Sequence, residues 1–197
     1  MNDSKLATLC PVADAGFRRA GQGLSEMAGT DIAATATRIR RLPLAKVPDL
    51  LGGPGVVVAT VYLAIKGDVE GHMVLMMPLS EACALADMLL ELPSGSTREL
   101  DGLASSALGE VGNLVGSFFL AALADVTSLR LSPTPPTIIA DMSGAVLDAV
   151  LADLSMESDQ VLIIDTLFAQ SSRRVSACFL VLPRERYLEL ILGRLPR

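Results

Sequence analysis

The sequence presents the same succession of patterns twice. In each copy, a long stretch with helical periodicity is followed by an alternating strand, a short helix, a two-stranded hairpin and a closing helix. The first hairpin is "VVVATVYLAIKGD" with "GHMVLMMPL", and the second is "QVLIIDTLFAQ" with "RRVSACFLVLP". A chain that repeats a unit of this size is expected to fold into two similar halves. The repeat is therefore the strongest constraint on the fold.

Two offsets describe the internal alignment. Residues 16–27 align with residues 115–126 at an offset of 99, whereas the closing hairpin and helix align at an offset of 105, with Pro78 on Pro183. Six extra residues therefore lie in the middle of the second copy. We predict a first repeat over residues 1–93 and a second over residues 98–197, folded together as one compact domain.

The hairpins predict the architecture, because neighbouring strands joined by tight turns are antiparallel. We expect an α/β fold of the α+β type: an internally duplicated, pseudo-two-fold domain with a largely antiparallel sheet and helices packed on its faces. Hydrophobic residues make up 51% of the chain but aromatic residues only 4%, so the core must be aliphatic. Locally, Pro11 is expected to kink the first helix or set its start, and Ser80 to cap a helix over residues 80–92.

The bulk properties exclude several classes of function. A net charge of −6 argues against general nucleic-acid binding, which needs a basic surface. Cys10, Cys83 and Cys178 are far apart and lack a CxxC spacing, so we expect reduced, buried thiols. The N-terminus lacks a signal-peptide pattern, and no run approaches ~18 uncharged apolar residues. We therefore expect a cytoplasmic protein without membrane insertion, and the lone His72 indicates no zinc site.

A predicted helix over residues 99–125 carries an unusual polar pattern. One face is wholly apolar, whereas the opposite face has small and polar side chains, with Glu110 and Asn113 three residues apart. The nearby Gly102 and Gly109 reduce helix stability by about 1 kcal/mol each and leave room beside the two polar groups. Such space suits the docking of another protein. An ordinary solvated helix face is the alternative, because exposed helices tolerate both residue types.

Two further residues extend this pair into a longer motif. Ser106, Glu110, Asn113 and Pro136 fit the spacing (D/S)-x3-E-x2-N-x22-P, and the first three lie within "SSALGEVGNLVGSFFLAAL". This spacing and the surrounding helix resemble the active-site motif of the CheC/CheX/FliY family of chemotaxis phosphatases. The segments "VLIIDTLFAQ" and "ACFLVLP" also resemble the hairpin of that family, and the likeness extends over almost the whole chain, including the duplication.

The resemblance implies hydrolysis of the acyl phosphate on a phosphorylated CheY-type response regulator in chemotaxis signalling. Such a receiver supplies Mg²⁺ and the phosphorylated aspartate, so the phosphatase needs no cofactor of its own. Asn113 would orient the attacking water, since a carboxamide donates and accepts hydrogen bonds without titrating. Glu110 would pair with the receiver's active-site lysine. Ser106 would serve packing or contact, and Pro136 would shape the segment behind the helix.

The first copy departs from the motif at every position. At the offset of 99, Glu110 aligns with Pro11 and Asn113 aligns with Asp14. Ser106 aligns with Ala7, and Pro136 aligns with Thr37. We therefore predict a degenerate pseudo-site at Pro11 and Asp14 that has no catalytic role. A group of arginines in this half either binds an acidic partner or forms a solvated face: Arg18, Arg19, Arg38, Arg40 and Arg41.

Two classes of function fit these observations. The first is a response-regulator aspartyl phosphatase that uses Glu110 and Asn113. The second is a non-catalytic adaptor that binds a phosphorylated receiver, a CheD-like deamidase or a component of the flagellar switch. The presence of both Glu110 and Asn113 favours the phosphatase.

Overall fold

The computed structural model describes residues 8–153 and 160–195. Its first half contains α1 (Leu9–Ala28), β1 (Ala33–Pro43), a 3₁₀ turn (Leu44–Lys46), α2 (Val47–Leu50), β2 (Val57–Gly67), β3 (Gly71–Pro78) and α3 (Leu79–Leu89). The second half contains α4 (Gly102–Thr127), β4 (Leu131–Pro133), β5 (Thr137–Met142), α5 (Ser143–Asp153), β6 (Gln160–Gln170), β7 (Arg173–Pro183) and α6 (Glu185–Arg194). The order of elements therefore recurs, as the sequence predicts.

The seven strands of the described chain form one antiparallel sheet. The order is β1–β6–β7–β3–β2, and β4 and β5 lie one after the other along the outer edge of β2. The two hairpins meet at the centre, where β3 pairs with β7. Each half also places its first strand against the hairpin of the other half, because β1 pairs with β6 while β4 and β5 pair with β2. The predicted antiparallel, pseudo-two-fold architecture is confirmed.

Helices cover both faces of the sheet, so the alternating side chains of each strand enter two cores. In β2, Val61 and Leu63 lie in the larger core under α1, α3, α4 and α6, whereas Val58 lies in the smaller core under the 3₁₀ turn, α2 and α5. Phe179 of β7 meets Phe17 of α1 and Phe119 of α4 edge to face, with ring centroids 5.6 and 5.5 Å apart. The rest of both cores is almost entirely aliphatic, as the composition predicts.

Two helices begin at other residues than the sequence predicts. Helix α3 starts at Leu79, directly after Pro78, so Ser80 lies inside the first turn and caps nothing. Helix α4 starts at Gly102 and not at residue 99, because the side chain of Asp101 caps it. Pro11 occupies the third position of α1, where its missing N–H has no intrahelical acceptor, and the predicted effect on the helix start is confirmed.

Two further expectations need correction. The region after α4 forms two short strands instead of one, since residues 134–136 interrupt it between β4 and β5. Cys10 is exposed, because it lies on the outer side of the first turn of α1, while Cys83 and Cys178 are buried as predicted. Burial raises the pKa of the Cys178 thiol to about 11, and the nearby Asp165 adds to this, so the thiol stays protonated at neutral pH.

Candidate functional site

Helix α4 is held by its N-cap and by two glycines that face the sheet. Asp101 Oδ1 accepts a hydrogen bond from the Ala104 N–H at 2.8 Å, which satisfies one of the free donors of the first turn. A Cβ atom at Gly112 would lie 2.3 Å from Val61 Cγ1. A Cβ atom at Gly116 would lie 3.1 Å from Met73 Cε. The two glycines therefore let α4 approach β2 and β3 closely, and this contact decides which face of the helix points outward.

The inward face is the apolar one that the sequence predicts, with two exceptions near the C-terminal end. Phe118 is only half-buried beside Gly23 of α1, and Val126 is exposed in the last turn. The predicted apolar residues that are buried are Ala104, Leu108, Val111, Val115, Phe119 and Ala122. The opposite, outward face of α4 consequently carries motif residues.

Three motif residues occupy this outward face of α4. Ser106 and Glu110 are exposed, and Asn113 is half-buried. They share one side because residues three and four apart in a helix are neighbours. None of the three side chains makes a hydrogen bond or ion pair with any residue in the described ranges, 8–153 and 160–195. No side chain of the described residues therefore satisfies their polar groups.

Pro136 lies beside the same helix, in the break between β4 and β5. A Cβ atom at Gly109 would lie 3.8 Å from Pro136 Cγ and 3.2 Å from Ile138 Cδ1. Gly109 is buried in this contact, so its small size serves packing within the chain and leaves no room for a partner, contrary to our expectation. Gly102, by contrast, is exposed with open space around it. Pro136 and Ile138 thus support the turn of α4 that contains Gly109 and Glu110.

The corresponding helix of the first half is organised differently. Pro11 is exposed near the start of α1, and Asp14 forms an ion pair with Arg18 one turn later, with Arg18 Nε 2.9 Å from Asp14 Oδ2. Thr37 is the extra residue of a bulge in β1, between Ala36 and Arg38, and its hydroxyl donates to the Asp165 carbonyl at 3.0 Å. Ala7 lies outside the described residues. Asp14 therefore already has a partner within its own helix.

Comparison with known proteins identifies the family of the chain. The model of the CheC-like family matches residues 103–140, which include the four motif residues and the contact between α4 and β5. The CheY-P phosphatase CheC of Bacillus subtilis (strain 168) is 30% identical over 177 residues, covering 88% of this chain and 85% of the relative. The chain belongs to the CheC-like family.

Solved structures show the same fold as this CheC-like chain. The crystal structure of Thermotoga maritima FliY superposes with a TM-score of 0.79 at 15% identity, covering 98% of this chain and 96% of that one. CheX in the CheX–CheY–BeF₃–Mg²⁺ complex from Borrelia burgdorferi superposes with a TM-score of 0.51 at 18% identity. That match covers 86% of this chain and 96% of the other chain.

The arginines of the first half are mostly engaged within the CheC-like fold. Arg18 pairs with Asp14, Arg19 Nη1 lies 3.2 Å from Asp125 Oδ2, and Arg40 Nη2 lies 2.6 Å from Asp165 Oδ1. The last of these pairs lines a cleft of about 460 Å³ between β1, β6 and β7, away from Glu110. Within the described part of the chain, Arg38 and Arg41 form no such pair.

Asp87 is a buried carboxylate that the sequence analysis did not identify. It lies in α3, and its oxygens accept hydrogen bonds from the backbone N–H groups of Gly95, Ser96 and Thr97 at 2.7, 3.1 and 2.8 Å. Burial alone would raise the pKa of Asp87, but these hydrogen bonds outweigh it and hold the pKa below its usual value. The residue fixes the connection into α4. A signal existed in the sequence: an acid followed by the turn-forming "PSGST".

By length and composition alone, helix α4 is long and apolar enough to span a membrane, although we expected no such segment. The difference arises because Glu110 and the small polar residues break any uninterrupted apolar run without much reducing the average hydropathy. In this fold, 61% of the most apolar stretch is buried. The apolar character of α4 is therefore accounted for by its position between α1 and the sheet.

Proposed function

We propose that this protein hydrolyses the aspartyl phosphate of a CheY-type response regulator. One observation carries the proposal: Glu110 and Asn113 project from an exposed helix face and make no hydrogen bond or ion pair within the described chain. Membership of the CheC-like family supports it, since the Bacillus subtilis relative is named as a CheY-P phosphatase. An exposed Glu110 beside a half-buried Asn113 on the outer side of a helix suits a macromolecular substrate, because small-molecule sites are concave.

Asn113 positions the nucleophile in this proposal. Water attacks phosphorus in line with the acyl oxygen, the P–O bond to the aspartate breaks, and the products are inorganic phosphate and the free carboxylate. The receiver supplies Mg²⁺, which neutralises charge on the phosphoryl oxygens. The carboxamide oxygen of Asn113 accepts a hydrogen bond from the water and its NH₂ group donates one. Fixing one water in line in this way converts a rare encounter into a preorganised one.

Glu110 secures the orientation of the receiver. A carboxylate one turn before Asn113 can accept a charge-assisted hydrogen bond from the lysine of the receiver's active site. Ser106, a further turn back, contributes a small contact surface, and Pro136 holds the turn behind the motif through the Gly109 contact. Neither of these two has a chemical role in the proposal. The first half does not participate, because Asp14 is held by Arg18 and Pro11 offers no charge.

The test is the decay of a panel of phosphorylated CheY-type receivers with and without the protein. We expect faster decay with at least one receiver, and a loss of about 10²-fold or more in the Asn113→Ala variant, because one positioned group is removed. Binding of that receiver should stay close to wild type, since Asn113 contacts the water. Ser117→Ala, a variant on the same face of α4, is the matched control and should remain active.

Two results would contradict the proposal. Near-wild-type turnover by Asn113→Ala would remove the proposed role of the carboxamide. Binding of phosphorylated receivers without any acceleration of their decay would instead indicate the non-catalytic adaptor.

A further inference from the structure

An exposed leucine lies on the same side of α4 as the motif. Leu103 is 64% exposed, the largest fraction among the exposed large apolar residues of the described chain. It precedes Glu110 by seven residues, or two helical turns, so both side chains point to the same side. The separation along the helix axis is about 10 Å. Leu103 therefore lies on the side of α4 that a receiver bound at Glu110 would face, within the span of an ordinary protein–protein interface.

The sheet edge beside α4 adds further exposed apolar surface. Ile138 of β5 packs toward α4 at Gly109, and alternation places the side chains of Ala140 and Met142 on the same face. Met142 is 49% exposed and pairs across the strands with Val57 of β2, which is 43% exposed. This apolar surface extends the α4 side of the sheet beyond the contact with Pro136.

We propose that Leu103, Val57 and Met142 form an apolar shelf on which the phosphorylated receiver docks. The inference rests on the proposed function. The link between shelf and motif is Ile138, which lies on the same face of β5 as Met142 and packs against α4 at Gly109, next to Glu110. Stable interfaces bury about 800 Å² per partner, far more than two polar side chains provide. Contiguous exposed apolar surface next to polar groups is a mark of protein–protein contact sites. Val57 and Met142, paired across neighbouring strands, provide such surface, and Leu103 adds to it from α4.

The shelf should control affinity and leave the chemical step unchanged. Its contacts exist equally in the bound complex and in the transition state, so their loss raises KM and Kd but not the barrier within the complex. Asn113 has the opposite role. Leu103→Ser should therefore weaken binding about tenfold or more, with kcat close to wild type, and Met142→Ser should act in the same direction.

The experiment measures Kd for the receiver that the wild type dephosphorylates, loaded with beryllofluoride and Mg²⁺, together with KM and kcat for its phosphorylated form. The variants are Leu103→Ser and Met142→Ser. The controls are Val126→Ser, at the far end of the same helix, and Ile139→Ser, on the opposite face of the same strand. Both control residues are also exposed, and we expect them to bind the receiver like wild type.

The outcomes separate the two proposals. Raised Kd and KM in both shelf variants, with kcat and the controls unchanged, support the shelf. Wild-type Kd in both shelf variants, while the wild type turns over the receiver, overturns the shelf and leaves the proposed function intact. If the shelf variants had a lower molecular mass in solution than the wild type but the same affinity for the receiver, the shelf would instead bind a second copy of this chain. Absence of wild-type turnover with every receiver would overturn the proposed function itself.

Discussion

At the residue scale, Glu110 and Asn113 differ from several other polar residues of the fold because they lie together on one helix face without a partner in the described residues. Asp14, Asp87 and Asp165 each bind a donor within the chain. Glu110 and Asn113 bind none within the described residues. A helix gains little from leaving such groups unpaired, so their availability fits a role toward a partner.

Substitution of Glu110 should affect both docking and rate. Glu110→Ala removes a charge-assisted contact and is expected to weaken receiver binding about tenfold, with a parallel loss of kcat/KM. Glu110→Lys should be worse, because two ammonium groups would then repel each other. The binding deficit of Glu110→Ala should shrink at high salt, where the wild type itself loses the ionic contact. Either variant binding the receiver as tightly as wild type would show that Glu110 does not meet a lysine.

At the element scale, the position of α4 depends on the connection that precedes it. The Asp87 carboxylate gathers three consecutive backbone N–H groups of the loop after α3, and Asp101 then caps α4. The loop therefore joins the two halves through defined hydrogen bonds rather than as a loose linker. Both aspartates precede α4, so their substitution should disturb the position of this helix first.

Loss of the Asp87 charge should lower stability in a pH-dependent way. The pKa of Asp87 is lowered in the folded protein, so its contribution is fully present above the unfolded value of about 4 and disappears as the pH falls through the folded value. Asp87→Asn should cost on the order of 2 kcal/mol at pH 7, because an NH₂ group then faces backbone donors. The difference from wild type should narrow below about pH 4.

Chemical unfolding at a series of pH values measures this effect. Asp31→Asn is the matched control, because Asp31 is exposed and forms no hydrogen bond or ion pair within the described residues. It should unfold like wild type at pH 7. A constant difference between wild type and Asp87→Asn from pH 7 down to pH 3 would contradict the assignment.

Much of this element-scale organisation could be predicted from the sequence. Periodicity predicts the long helices, each of which has one buried face, and apolar runs between turn residues predict both hairpins, whose strands are buried on two faces. Other features depended on contacts that no local pattern contains. From the sequence, Gly109 is expected to leave space beside the helix, but it packs against Ile138. Arg40 is expected at a solvated or partner-binding surface, but it pairs with Asp165. Such distant contacts arise only once β5 and β6 have joined strands of the other half.

The candidate site, too, could be predicted from the sequence only in part. The spacing of Glu110 and Asn113 predicted a shared helix face, which holds because the helical repeat is local. The exposed Leu103 was not singled out, since whether an apolar residue lies at the surface depends on where α4 begins and what covers it. The start of α4 in turn depends on the Asp101 cap.

At the scale of the whole molecule, the two halves share an architecture but not a surface. In both halves the first strand pairs with the hairpin of the other half. Both also interrupt that strand at corresponding positions: β1 has a bulge at Thr37, and residues 134–136, which include Pro136, separate β4 from β5. The helices differ, since α1 carries the Asp14–Arg18 pair, whereas Glu110 and Asn113 of α4 form no ion pair within the described residues. We therefore expect one productive site per chain. A negative charge at Asp14 would also repel a phosphoryl group.

The rate of dephosphorylation of one receiver by the Asp14→Ala and Asn113→Ala proteins, compared under identical conditions, tests this account most directly. Asp14→Ala should retain wild-type activity, because only a surface ion pair of small energetic value is lost. Asn113→Ala should lose about 10²-fold or more. The opposite pattern would contradict the account. So would residual turnover by Asn113→Ala that disappears when Asp14→Ala is added, because the first half would then hold a working site.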